Sequence, residues 1–405
     1  MSHVRMDAGS DKKGFTLVEL LVVIGIFGLI IGIAAKTFSI ILTQSSQQAK
    51  TADSQIEGII GLELLRADIE QAGMGLPWTF PFRDGSGSLV TVSYTETGST
   101  YPSGPKSSVS PSTFSDDNSA TVKPPNAPRA ILVGHSAGLN ASDILVLKGA
   151  NLGRSDASQR WSYVASDAPS TPKAWGVEDL KDNEKVIVLK PNSTGSEARQ
   201  LVMLASSPYY YTTYKKTSFP SSFAPPPVPA PGKDYYLIYG IAPADTASLS
   251  MPYNRADYFI SNANVPRFCA PNTGVLEKGI INHGGGITLL PLLDCVADMK
   301  VVFRADLNDD GVPECTTDTL RNCSTTNVLT AEETRKIKEV AVFILTHEGQ
   351  MDRDYTFPTQ KVSYVPGDAY YGVHVEPFDL ASITNWQKYR WKLYRFTVRP
   401  KNLGS

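Results

Sequence analysis

Histidine and cysteine are scarce in this chain of 405 residues, at five and four copies, and neither falls in a ligand pattern. His135, His283, His347 and His374 are scattered with no His-x-x-x-His pair, and no Cys-x-x-Cys occurs, so the common zinc arrangements are excluded. A basic excess is also lacking. Lys and Arg total 38 against 40 Asp and Glu, and without a basic stripe the sequence does not describe a nucleic-acid surface. No internal repeat and no clean domain linker is evident. Gly284-Gly285-Gly286 is followed by neither a helix start nor a lysine, so it reads as a turn and not as a phosphate cradle.

What the chain does have is one long apolar run near its start. Phe15 to Ala35 spans 21 residues, enough as a helix to cross a hydrocarbon core of roughly 30 Å, and it contains a single acid, Glu19. An ionised carboxylate in lipid costs at least a few kcal/mol, so Glu19 calls for a partner and marks a function. Arg5, Lys12 and Lys13 precede the run, which keeps the N-terminus cytoplasmic and exports the remainder. No small-x-small cleavage site follows promptly, because the run continues through Lys36 and Phe38 into further helix-forming sequence.

The segment Gly14-Phe15-Thr16-Leu17-Val18-Glu19 resembles the start of type IV pilins and pseudopilins. The resemblance implies cleavage after Gly14 by a prepilin peptidase, N-methylation of Phe15, and pairing of Glu19 with the terminal amine of a neighbouring subunit during assembly. It thereby supplies the positive partner that the electrostatics demand. It further implies a 1–14 leader, a 15–75 helix with 15–35 in the inner membrane, and a 76–405 head in the periplasm that can enter a surface pilus.

Helical pattern continues from Thr43 to Ala72, with Ile56, Ile59, Ile60, Leu65 and Ile69 at helical spacing, and Gly73, Gly75 and Pro77 end it. Gly58 and Gly61 weaken that half and suggest a bend. Beyond Pro77 the pattern is that of strands. Leu89 to Tyr94, Ala130 to Val133, Asp143 to Lys148, Lys185 to Lys190, Leu201 to Ala205, Tyr235 to Ile241, Met299 to Ala305, Lys338 to Leu345 and Arg390 to Val398 are β-branched or aromatic between turn residues. Thr330 and Glu333 form a capping box for a short helix. Ser/Thr/Pro/Gly-rich stretches at Thr97 to Pro128, Ser166 to Ala174 and Phe219 to Gly232 read as surface insertions. The expected fold is α+β and pilin-like: a long N-terminal helix packed on a mainly antiparallel β head with long insertions.

Cys269, Cys295, Cys315 and Cys323 all lie in the last third, and an even number in an exported chain favours disulfides. Three pairings are open; the sequential one, Cys269 with Cys295 and Cys315 with Cys323, closes the shortest loops, at roughly 3 kcal/mol each. Asp306, Asn308 and Asp310 occupy the first, third and fifth places of a loop with Gly311 sixth and the Val312 carbonyl seventh, a pattern suited to calcium. Thr317 stands where a bidentate Glu belongs, with Glu314 or Asp318 as substitutes. The competing reading is an acidic turn, and no other cofactor is expected.

Gly134-His135-Ser136-Ala137-Gly138 matches the Gly-x-Ser-x-Gly of α/β-hydrolases. Such an elbow needs a helix directly after the serine, whereas Leu139 to Asp143 reads as a turn before a new strand, so a hairpin loop is expected.

Leu64-Leu65-Arg66-Ala67-Asp68-Ile69, with Ala72-Gly73 beyond it, resembles the helix end of PilW-type minor pilins and of J-type pseudopilins. Ala141 to Leu147, Leu293 to Met299 and Tyr394 to Arg399 are similar to PilW segments in the same order. The resemblance implies a non-enzymatic minor pilin acting in pilus initiation or at the tip. Its partners would be other minor and major pilins, the prepilin peptidase, the membrane and the inner-membrane assembly machinery, with no nucleic acid. The alternatives are a J-type pseudopilin of type II secretion and, from another class, a membrane-anchored hydrolase using Ser136.

Overall fold

The computed structural model describes residues 14, 16–80, 86–87, 94–96, 100–116, 127–191, 198–204, 206–227, 234–317 and 330–403. It separates into two units, 1–53 and 54–405.

Helix α1 runs Leu17–Gln71. In the first unit its Leu17–Ser39 segment has a mean hydropathy of 2.8, with none of it buried. At 23 residues it would reach about 35 Å, long enough to cross a bilayer.

In the second unit the same helix has one buried stripe. Leu62, Leu65, Asp68, Ile69 and Ala72 are buried, while Ile59 and Ile60 are more than half exposed. The expected stripe through Ile59 and Ile60 is therefore displaced, and the glycines explain it. A Cβ on Gly61 would lie 2.1 Å from the Leu292 carbonyl oxygen, and one on Gly58 2.7 Å from the Leu293 side chain. These glycines let the helix backbone rest on a strand. Gly73 and Gly75, both left-handed, end α1 as expected.

The strand carrying Leu292 belongs to a large sheet of β1 (Ile131–Gly134), β2 (Ile144–Gly149), β3 (Asn254–Ser261), β4 (Gly274–Ile281), β5 (Ile287–Ala305), β6 (Cys315–Thr317), β7 (Ile337–Glu348) and β8 (Arg390–Val398). The order is β1-β2-β3-β4-β5-β7-β8, every pairing is antiparallel, and β6 adds to the end of β5. Alternation sorts the side chains: Val340, Val342 and Ile344 join the core beneath α1, whereas Ala341, Phe343 and Leu345 face a second core with Tyr364, Leu380 and Trp391.

A second sheet is built from Trp161–Ala165, Lys173–Ala174, Lys185–Lys190, Gln200–Leu201, Thr212–Thr213 and Tyr235–Ala242. Its Ile187 and Leu189 join the main core; Val186 and Val188 face Tyr214, Phe219 and Phe223.

Lys185–Lys190 and Arg390–Val398 form strands over the expected residues. The strand expected at Leu201 to Ala205 is only Gln200–Leu201, and 88–93 lies outside the described residues. Two insertions bury more than their composition suggests. Phe114 is buried, and so are Phe219 and Phe223, so their segments cover sheet faces. The capping box is present, with Thr330 before Ala331–Arg335 (α2) and Glu333 answering it.

Candidate functional site

At the start of α1, Gly14 is exposed and Phe15 lies outside the described residues. Thr16 is the helix N-cap. Its backbone N–H donates to Glu19 Oε2 at 3.0 Å, its hydroxyl donates to the same oxygen at 2.9 Å, and Glu19 N–H returns a bond to Thr16 Oγ1 at 3.3 Å. This reciprocal box satisfies two of the backbone donors at the helix start. Among the described residues the acid thus meets Thr16.

The other end of α1 carries the Arg-x-Asp-Ile pattern, and its geometry explains the pattern. Arg66 is exposed and pairs with Glu63 at 3.7 Å. Asp68 is buried, accepting from the Tyr258 hydroxyl on β3 and from Lys278 Nζ on β4, while Ile69 fills the core. Burial and the Asp68 charge push the Tyr258 hydroxyl well above its ordinary pKa. A buried acid so placed fixes both the rotation and the height of the helix on the sheet.

A second buried cluster escaped sequence reasoning because its members are far apart in the chain. Lys148 Nζ lies 2.8 Å from Glu96 and 2.6 Å from Asp116; Arg255 contacts Glu96 at 3.0 Å and Asp257 at 2.8 Å. Burial alone would raise Asp116, yet Lys148 and Arg129 hold it below its ordinary value. The cluster pins Glu96 and residues 114–116 across β2 and β3. Charged residues at Lys148, Arg255 and Asp257 inside strand patterns were the available signal.

Asp306, Asp310 and Glu314 come together, each with a carboxylate oxygen within 4.8 Å of the others. Asp306 is fully buried; its oxygens accept from Asp310 N–H at 3.1 Å and Gly311 N–H at 2.9 Å. Asn308 Oδ1 accepts from Asp310 N–H at 3.0 Å, and Asp310 Oδ1 accepts from Val312 N–H at 2.8 Å. Glu314 is thus the acid that converges, its Oε2 also taking Leu307 N–H at 2.9 Å. An all-oxygen set suits a hard cation. Two lysines already stand there, Lys336 at 2.8 Å from Asp309 and Lys338 at 3.6 Å from Asp306.

Cys269 and Cys295 are bonded, with Cα atoms 4.9 Å apart. Cys295 has a left-handed backbone and sits where β5 bulges against β4. Cys315 is also disulfide-bonded, and Cys323 lies outside the described residues. His347 packs beside the first bond and accepts from Ala270 N–H at 2.8 Å; burial lowers it to about 4. His283 accepts from Ser250 N–H at 3.3 Å and is likewise lowered to about 4 by burial. Tyr210 is buried with its hydroxyl on the Leu249 carbonyl, and Tyr209 and Tyr235 are exposed. Residues 135–143 form the β1–β2 hairpin loop, with only a short 3-10 turn at Leu139–Ala141 before β2, so the α/β-hydrolase elbow is absent.

Residues 9–35 match the family model of the prokaryotic N-terminal methylation motif. The chain therefore carries a prepilin-type N-terminus, and its long helix with an apolar first half is followed by a mostly antiparallel β head, the α+β arrangement expected from the sequence. A solved type IV-like pilin from Thermus thermophilus is similar at 15% identity over 38% of this chain and 80% of that one, with a TM-score of 0.18, too low to argue from. No curated protein matches the chain.

Proposed function

We propose that the protein is a minor pilin of the PilW type, acting in pilus initiation or at the pilus tip. The observation that carries this reading is the methylation motif leading directly into a 23-residue apolar segment with no part buried. Such a segment needs lipid or other helices around it. In this reading prepilin peptidase cuts after Gly14, Phe15 becomes the methylated terminus, and Glu19 exchanges its Thr16 bonds for the terminal amine of a neighbouring pilin. The head sits in the periplasm before assembly, and the inner-membrane assembly machinery and the other pilins are the partners. The size of the head supports a minor over a bulk subunit.

Mass spectrometry of the mature chain should find N-methyl-Phe15 as its first residue. Glu19→Ala should remain in the membrane yet fail to enter pili; normal incorporation would sink the pairing. Deleting the gene should abolish surface pili, whereas intact pili with lost protein secretion would assign the chain to the J-type pseudopilins.

A further inference from the structure

The hairpin loop 135–143 carries no fold-level likeness to a hydrolase, yet its side chains are set as in one. Asp143 is completely buried, and its Oδ1 lies 3.2 Å from His135 Nδ1. His135 Nε2 lies 3.3 Å from Ser136 Oγ. An acid on Nδ1 fixes the tautomer that leaves Nε2 as a base facing the serine hydroxyl, which is the division of roles in a Ser-His-Asp relay.

The loop is held in this shape from several sides. Asp143 Oδ1 also accepts from Ser136 N–H at 2.9 Å, and its Oδ2 accepts from Val301 N–H on β5 at 2.9 Å. Asn140 donates to the carbonyls of Asn272 at 2.7 Å and Ala297 at 3.1 Å. Ser136 itself has φ of 51°, a left-handed backbone shared by Asn140 and Ala141 of the same loop. Both motif glycines have a steric reason. A Cβ on Gly134 would meet the Phe114 ring at 2.5 Å, and one on Gly138 would meet Ser142 Oγ at 2.4 Å.

The serine and histidine open onto a cavity of about 480 Å³, with Val302 and Phe378 among its apolar walls and Lys300 among its polar ones. That volume lies within the range of small-molecule sites. His135 keeps its side chain 38% exposed, so solvent and substrate can reach it.

We propose that Ser136 is a nucleophile for esters of short acyl groups, a second activity carried by the head and independent of the pilin role. Ser136 Oγ attacks the carbonyl carbon while its proton passes to His135 Nε2. The C–O bond to the alcohol breaks as His135 returns that proton to the leaving oxygen, giving an acyl-serine. Water then attacks, losing a proton to His135, and the carboxylic acid departs as Ser136 recovers its hydrogen. Asp143 holds the imidazole and stabilises its charged form, while Lys300 on the cavity wall is held by the Ala141 carbonyl at 2.7 Å and lies 3.6 Å from Asp298.

The test uses the full-length protein in detergent, with a fluorophosphonate probe and p-nitrophenyl acetate. The expected result is one probe adduct on Ser136 by peptide mass spectrometry, and ester hydrolysis that falls about 100-fold or more in both Ser136→Ala and His135→Gln. The rise of rate with pH in the wild type should vanish in His135→Gln. Circular dichroism checks that each variant is folded. No adduct on Ser136, or hydrolysis unchanged by either folded variant, would overturn the proposal. Because these readouts do not involve pilus assembly, their failure leaves the pilin reading where it stands.

Discussion

The two ends of α1 each carry a carboxylate, and they are treated in opposite ways. Glu19 stands in an apolar stretch with all neighbouring side chains exposed, and its bonds within the chain are to Thr16 one turn away. Asp68 is buried under the sheet and bound by Tyr258 and Lys278, about 200 residues further along. The glycines repeat the contrast. Gly25, Gly28 and Gly32 have nothing within 4 Å of a hypothetical Cβ, whereas Gly58 and Gly61 press on β5. One helix thus has an end packed on its own chain and an apolar segment, Leu17–Ser39, with no part buried.

The sharpest way to break this comparison is to remove each acid in turn. Asp68→Ala strands the Lys278 ammonium in the core and should cost the head about 3–5 kcal/mol in urea unfolding. Glu19→Ala should leave the same midpoint unchanged, since among the described residues its carboxylate bonds to Thr16 and not to the head. Equal effects would erase the distinction.

Acid should separate the halves next. His283 and His347 have folded pKa values of about 4, below the ordinary 6.5, so each contributes stability that is full above about pH 6.5 and lost as pH falls through about 4. The loss is at most about 3 kcal/mol per histidine. Burial raises Asp298 to about 7, and it acts in the opposite sense, lowering stability as pH rises towards 7. Replacing either histidine by Gln should flatten the acid limb of a stability-against-pH curve. The helical signal of 17–39 in detergent should persist after the head has unfolded.

Gly61→Ala should cost about 1–3 kcal/mol, because the clash is with backbone, and Gly25→Ala should cost the head nothing. The smallest effect concerns the acidic loop. Calcium at about ten times its dissociation constant should stabilise the head by about 1.4 kcal/mol, and Asp310→Ala should abolish that gain. No shift in melting temperature with calcium would leave the loop as an acidic turn held by Lys336 and Lys338.

The N-terminal half was legible because its information is local: the methylation motif, the run length and the lone acid lie within a few turns. The strands at Lys185–Lys190 and Arg390–Val398 were legible for the same reason, each a short β-branched or aromatic run. Asn254–Ser261 was not, because Arg255 and Asp257 break its apolar pattern, and only Glu96 and its neighbours make those charges tolerable inside. Gly274–Ile281 was hidden likewise by Glu277 and Lys278, the latter claimed by Asp68. Of the sites, the acidic loop could be read from spacing. The relay at Ser136 was masked because its aspartate lies across a turn that, read as sequence, argued against a hydrolase.

The contact of Gly58 and Gly61 with β5 has a mechanical consequence. Where helix and sheet meet backbone to backbone beside a buried ion pair, a pull along the helix axis loads all of these contacts together in shear. Peeling would break them one at a time. The residues of α1 that lie on the sheet would therefore resist such a pull together, with the buried Asp68–Lys278 pair among the contacts that must break at once.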